Sequence, residues 1–128
     1  MSFTTLHNAL PDPQDPHAWA TLSLQRGRAM IYKETLPNNQ GVQVTFELPS
    51  SIWAERVNLV GDFNGWDTTQ DEMRQGRNDG KWRISMTFPK GKEYEFRYLV
   101  NGRDWHNDWH ADKYRLNKFG TDNSVVCT

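Results

Sequence analysis

Alternation of apolar and polar residues in three separate stretches, broken only at Leu99, is the feature that most constrains the fold of this chain. It runs through residues 42–48, 82–88 and 94–100. Successive side chains of a strand point to opposite faces of a sheet, so this pattern predicts three strands that each bury one face. Turns rich in Gly, Pro and Asn punctuate the chain, and the pattern lacks the spacing of β-α-β units. The pattern therefore predicts an all-β protein, an antiparallel β-sandwich.

The predicted domain covers residues 29–128 and begins with a hairpin whose second strand is residues 42–48. The adjacent Val125 and Val126 indicate a final strand near the C-terminus. The side chains expected in the core include Phe46, Ile52, Trp53, Met73, Trp82, Phe88 and Phe96.

Residues 1–28 are expected to form a partly flexible N-terminal extension. Three prolines between residues 11 and 16 exclude regular structure before Asp15. Asp15 could cap a short helix over residues 16–26, with Pro16 at its first position and Gly27 just beyond its end. The expected role of this helix is packing on the main domain, and the alternative is a helix that binds a partner protein.

Composition excludes several classes of partner. The chain has 128 residues, a net charge of −1 and no long basic run, so neither nucleic acid nor a membrane is an expected partner. Its one cysteine, Cys127, can form no internal disulfide, which favours a reducing compartment. The sequence shows no signal peptide and no long apolar span, so the expected location is the cytoplasm.

A tryptophan stands in the polar loop that follows a predicted half-buried strand, in which Val57 and Leu59 alternate with Asn58. Asn64 and Gly65 form a strong turn dipeptide, and Trp66 follows directly between polar neighbours. One interpretation is that Trp66 folds back and buries itself. The other is a flat aromatic platform for a sugar, because an indole stacks on the C–H face of a pyranose while polar groups bind its hydroxyls.

Two further stretches resemble the Trp66 loop. Trp105 follows another Asn-Gly turn, and residues 117–124 place Phe119 and Asn123 in a polar segment before the last strand. Arg97 lies on the polar side of its strand. Two aromatic platforms, a cation and an amide would form a sugar-binding cleft if the fold brings them together.

The ordered blocks VNLVGDFNGWD, GKWRISMTF, YEFRYLVNG, WHND and FGTDNSVV resemble carbohydrate-binding module family 48. This family includes the glycogen-binding domain of the AMP-activated protein kinase beta subunit and the early-set domain of isoamylases and glycogen branching enzymes. The resemblance covers about residues 42–127, and this chain looks most like the small stand-alone bacterial members. It implies an immunoglobulin-like sandwich that binds α-1,4-linked glucans such as glycogen, maltooligosaccharides and cyclodextrins.

The resemblance also implies a set of sugar-binding residues. By position, the two platform tryptophans of the family are similar to Trp66 and Trp105, and its binding asparagine to Asn123. Arg97 stands where the kinase module has a lysine, and the bulkier Phe119 stands where it has a leucine. The proline common after the aspartate is replaced by Trp109, which is either a third platform or a core plug.

Three other functions were weighed against sugar binding. Glycoside hydrolysis needs paired carboxylates across a cleft. In the related enzymes it also needs a catalytic barrel of roughly 250 residues, for which a chain of 128 residues is too short, so we expect no catalytic residue. His106, Asp108 and His110 alternate and could hold zinc, but surface histidines are commoner, so we expect no metal and no cofactor. The third alternative is a protein-interaction module that binds a glycogen-metabolising enzyme or associates with itself.

Overall fold

The computed structural model describes residues 29–128, which form ten β-strands and two short 3-10 turns. The strands are β1 (Met30–Thr35), β2 (Val42–Leu48), β3 (Val57–Gly61), β4 (Asp71–Glu72), β5 (Arg74–Gln75), β6 (Trp82–Phe88), β7 (Glu93–Val100), β8 (Asp104–His106), β9 (Lys113–Leu116) and β10 (Asp122–Cys127). The 3-10 turns are Pro37–Asn39 and Asp62–Asn64. The predicted helix over residues 16–26 and the rest of the N-terminal extension lie outside the described residues.

The strands form two sheets. The first has the order β1-β2-β6-β5, and the second has the order β4-β3-β7-β10-β9, with β8 paired to β7. Every strand pairing within residues 29–128 is antiparallel. The prediction of an all-β, immunoglobulin-like antiparallel sandwich is therefore confirmed.

The core lies between the two sheets and contains the apolar side chains of the alternating strands. Phe46 and Phe96 are fully buried, and Trp82 and Phe88 are nearly so. Phe46 of the first sheet meets Phe96 of the second edge-to-face, with ring centroids 5.1 Å apart. Contacts of this kind join the two sheets. The sequence therefore predicted correctly which face of β2, β6 and β7 points into the core.

The prediction for residues 52 and 53 was half right. Ile52 is 4% exposed and packs in the core, whereas Trp53 is 91% exposed. Both residues lie in an irregular connection between β2 and β3, where no strand periodicity predicts their orientation. Here the fold buries Ile52 and leaves its neighbour outside. Met73, the predicted plug, is buried as expected.

Four short strands were not predicted. Strands β4 and β5 have two residues each, β8 has three and β9 has four. Strands β4 and β5 are too short to show a period of two, and the alternation in β8 and β9 covers only three and four residues. Their strand character comes from pairing with longer neighbours, which sequence alone does not reveal.

Within residues 29–128, no helix has the length and hydropathy needed to cross a membrane.

Candidate functional site

A groove of about 460 Å³ lies on the face of the second sheet that points away from the core. Three strands position its floor. Glu95 and Arg97 lie on the outer side of β7, Asn123 comes from the adjacent β10, and Trp105 on β8 is paired with Leu99 of β7. The residues that line the groove are Trp66, Thr68, Glu95, Trp105, Asn117, Lys118, Phe119 and Asn123.

The loop that carries Trp66 is a tight turn stabilised by Asn64. The Asn64 side chain donates to the Leu59 carbonyl at 2.9 Å and accepts from the Gly61 amide at 3.1 Å. Gly65 and Trp66 both have positive φ, and a tryptophan with φ of 60° is an unusual conformation. The amide of Trp66 donates to the Gly61 carbonyl at 2.9 Å, which closes the turn. The Asn-Gly turn was predicted from the sequence, and the left-handed Trp66 was not.

The indole of Trp66 is held in place by Asp62. Its Nε1–H donates to one carboxylate oxygen of Asp62 at 2.9 Å, and the backbone amide of Glu95 donates to the other at 2.8 Å. Asp62 therefore links the Trp66 loop to strand β7. The indole, half-buried, is oriented before any ligand arrives, so little entropy is lost in ordering it.

Trp105 is supplied by the short strand β8 and is 39% exposed. The segment after it is anchored by Asp108, which is fully buried. The Tyr98 hydroxyl donates to the Asp108 carboxylate at 2.6 Å, and the Asp108 amide donates to the Ser124 hydroxyl at 2.8 Å. Burial raises the pKa of Asp108, and the hydrogen bonds from Tyr98 and from the His110 amide partly offset that rise.

Phe119 is 79% exposed, as its polar neighbours suggested. It stands on a turn that the side chain of Asn117 organises. The amides of Phe119 and Thr121 donate to Asn117 Oδ1 at 2.9 and 3.2 Å. The ammonium of Lys118 lies 5.3 Å from the centre of the Phe119 ring. These contacts hold an exposed ring at the rim of the groove.

Asn123 lies at the floor and already has protein partners on both ends of its amide. Its Nδ2 donates to Glu95 at 3.0 Å, and its Oδ1 accepts from Asn117 at 3.1 Å. It is only 7% exposed. One N–H of the amide remains available to a ligand. The two existing hydrogen bonds of Asn123 hold the side chains of Glu95 and Asn117 in place.

Arg97 is placed beside this group but does not line the groove. It pairs with Val60 of β3, and its Nε is buried without a hydrogen-bond partner among residues 29–128. Burial lowers the pKa of Arg97, and the nearby charge of Asp122 partly offsets that effect. The structure thus brings together four of the five predicted side chains, namely Trp66, Trp105, Phe119 and Asn123, and leaves Arg97 at their margin.

Four lining residues were not predicted, namely Thr68, Glu95, Asn117 and Lys118. A signal existed for Glu95, which shares the strand parity of Arg97 two residues away. Asn117 and Lys118 precede Phe119 in the polar segment of residues 117–124. Thr68 carries no sequence signal, because only the fold of its loop places it at the groove.

The structure also shows the surroundings of Trp109 and Asp108, whose roles the sequence left open. Trp109 is 41% exposed and is not a core plug, and it does not line the groove. Asp108 uses its carboxylate on Tyr98 and on the His110 amide. Residues 29–128 contain no group of three His, Cys, Asp or Glu side chains arranged to hold a metal ion.

Comparison with known proteins gives one family and a consistent set of relatives. The family model described as carbohydrate-binding module 48 (isoamylase N-terminal domain) matches residues 35–115. The chain is 37% identical over 59 residues to a 1,4-alpha-glucan branching enzyme GlgB of Shewanella sp. (strain MR-4), covering 43% of this chain and 8% of the enzyme. It is 40% identical over 58 residues to GlgB 1 of Rhizobium etli, covering 42% of this chain and 8% of the enzyme. The matched segment is thus a small part of each enzyme.

Proposed function

The chain belongs to the carbohydrate-binding module 48 family, and on that premise we propose that it binds α-1,4-linked glucans without catalysis. The proposed ligands are glycogen, starch, maltooligosaccharides and cyclodextrins. The observation that carries the proposal is the groove in which Trp66, Trp105 and Phe119 surround a polar floor. The names of the matched relatives describe enzymes that act on 1,4-alpha-glucan, which supports the same class of ligand.

The chemistry of the groove suits a sugar better than other small ligands. Its aromatic rings offer apolar faces, while the hydroxyl of Thr68 and the carboxylate of Glu95 offer hydrogen bonds to sugar hydroxyls. The groove has one carboxylate and one ammonium, so its charges balance and a neutral ligand fits. An α-1,4-glucan curls, and rings from two loops and a short strand follow a curved chain better than a flat β-linked one.

Binding through such contacts is expected to be weak. Each stacked sugar face hides on the order of 50 Å² of C–H surface, worth roughly 1–1.5 kcal/mol. A few contacts of this kind, less the cost of ordering the glucan, predict a Kd from roughly ten micromolar to one millimolar.

The proposal is tested by substituting the two tryptophans separately. Trp66→Ala and Trp105→Ala should each weaken maltoheptaose binding about tenfold or more, since each removes a stacked face and its water exclusion. Isothermal titration calorimetry measures the affinity, and thermal unfolding measures the stability, which should change little. Tyr32→Ala is the matched control, because Tyr32 is 49% exposed and lies on β1 of the other sheet.

Trp82→Ala should have the opposite effect to the groove variants, which is a loss of stability. Trp82 is 4% exposed in the core, so its loss should lower the free energy of unfolding by about 3–5 kcal/mol. If both groove variants bind maltoheptaose like the wild-type chain, the site assignment is wrong. If the wild-type chain shows no retardation in a native gel that contains glycogen, the protein-interaction alternative is favoured over glucan binding.

A further inference from the structure

Trp53 is the most exposed aromatic side chain in residues 29–128, and the proposed groove does not include it. It is 91% exposed and stands in the connection between β2 and β3. A single exposed apolar residue is ordinary on a protein surface. Trp53 differs because it borders a second groove of about 350 Å³, lined also by Ser50, Ile52, Ala54, Glu55, Gln75 and Asn101. This groove and the first have no lining residue in common.

The loop around Trp53 is fixed on both sides. Ile52 is buried in the core, and its amide donates to the Pro49 carbonyl at 3.2 Å. After the tryptophan, the amides of Glu55 and Arg56 donate to Asn101 Oδ1 at 2.8 and 3.3 Å. The amide of Asn101 in turn donates to the Arg56 carbonyl at 2.8 Å. The backbone that carries the exposed indole is therefore held at both ends, which lowers the entropic cost of using it as a platform.

The second groove shares part of the chemistry of the first. Each has an exposed indole, two amide side chains, a hydroxyl and one glutamate, and the first has in addition a second indole, Phe119 and Lys118. In the second groove, Oδ1 of Asn101 is used within the loop and its Nδ2 is left as a donor. Gln75 donates to the Gly80 carbonyl at 3.1 Å, which leaves its side-chain oxygen as an acceptor. Ser50 and Glu55 are exposed and complete the polar rim.

We propose that the Trp53 groove is a second carbohydrate site that binds another segment of the same class of α-glucan. The inference rests on the proposed function, because the ligand class is taken from the first groove. Trp53 would stack on one glucose ring, and Gln75, Asn101 and Glu55 would bond its hydroxyls. Apart from Trp53, the exposed residues that line this groove are all polar, namely Ser50, Glu55, Gln75 and Asn101, which favours a sugar over a protein partner, whose contact core would be more apolar.

Two sites on one rigid domain have a measurable consequence. A short oligosaccharide occupies either groove independently, whereas a long or branched glucan can engage both at once. The second contact is then intramolecular and raises the overall affinity for the polymer. Loss of Trp53 should therefore weaken binding to glycogen more than binding of maltoheptaose at the first groove.

The experiment uses the full chain labelled with 5-fluorotryptophan, with the Trp53 signal assigned by comparison with Trp53→Phe. Maltoheptaose is titrated into the Trp66→Ala/Trp105→Ala double variant and followed by fluorine NMR. We expect a saturable shift of the Trp53 signal although the first groove is disabled. We also expect Trp53→Ala to weaken glycogen binding about threefold or more in affinity electrophoresis, with Trp53→Phe intermediate and Tyr32→Ala unchanged.

Each other outcome overturns the inference. If the Trp66 and Trp105 signals of the wild-type chain shift with maltoheptaose and the Trp53 signal of the double variant does not, the proposed function stands and the second site is wrong. If no tryptophan signal of the wild-type chain shifts, the proposed function fails first. If Trp53→Ala instead dissociates a dimer in analytical ultracentrifugation, the Trp53 surface is a contact between copies of the chain.

Discussion

At the scale of single residues, the candidate site depends on side chains that position other side chains. Asp62 accepts hydrogen bonds from the Trp66 indole and from the Glu95 amide, and it does not itself line the groove. Asn117 acts similarly on the turn beneath Phe119. Asp62 lies behind the contact surface, so its substitution should alter affinity through the orientation of the Trp66 indole.

Asp62→Asn tests this role. The amide that replaces the carboxylate can accept through one oxygen only, so either the indole N–H or the Glu95 amide loses its acceptor. Loss of one hydrogen bond of about 1 kcal/mol predicts a roughly fivefold rise in the Kd for maltoheptaose, measured by calorimetry.

Asp67→Asn is the matched control for charge in the same loop. The Asp67 carboxylate accepts from the amide and hydroxyl of Thr69 at 2.9 and 2.8 Å and has no hydrogen bond to the Trp66 indole. Equal loss of affinity in the two variants would mean that the charge of the loop matters and the Asp62 hydrogen bonds do not.

At the scale of elements, β8 and the segment after it carry Trp105 and also a titratable group. His106 of β8 pairs with Tyr98 of β7. Burial lowers the pKa of His106 to about 4, with an opposing effect from Asp104 and a further lowering by the nearby Arg97. The folded chain therefore favours the neutral imidazole.

This pKa predicts how stability changes with pH. Because the pKa in the folded state is below its unfolded value of 6.5, the unfolded chain binds the proton first as the pH falls. The stability that this group contributes is complete above pH 6.5 and is lost between about pH 6.5 and 4, by about 1–3 kcal/mol. Urea unfolding at several pH values should show a smaller loss in His106→Gln over that range. Parallel curves for the two proteins would contradict the assignment.

At the scale of the whole molecule, the sandwich places three loops or short strands at one face of one sheet. The lining residues of the groove all fall between Trp66 and Asn123. Among residues 29–128, the groove is therefore built from the second half of the domain.

Deleting residues 1–14 is expected to leave the Kd for maltoheptaose unchanged within about threefold, or roughly 0.7 kcal/mol, because a proline-rich segment this short cannot form a core of its own. Calorimetry of the shortened chain beside the full chain measures this, and thermal unfolding checks that the domain is intact. A larger loss of affinity with an unchanged unfolding temperature would mean that the extension contributes to the site.

The sequence by itself determined the long strands, their core face and the turn before Trp66. Alternation in residues 42–48, 82–88 and 94–100 assigns Phe46, Trp82 and Phe96 to the interior, because strand periodicity is a local property. The Asn-Gly turn before Trp66 is local too, and the order of the motifs carried the resemblance that the family match confirmed.

Only the tertiary structure decided which side chains meet. Pairing of β7 with β10 and β8 places Asn123 and Trp105 on the same outer face, and that register depends on contacts between distant parts of the chain. It also half-buries Arg97 at the margin of the groove. The orientation of Trp53 could not be predicted from the sequence either. A connection without periodicity does not indicate which of two adjacent apolar residues faces inward. Packing against the completed core selects Ile52 and leaves the indole of Trp53 exposed.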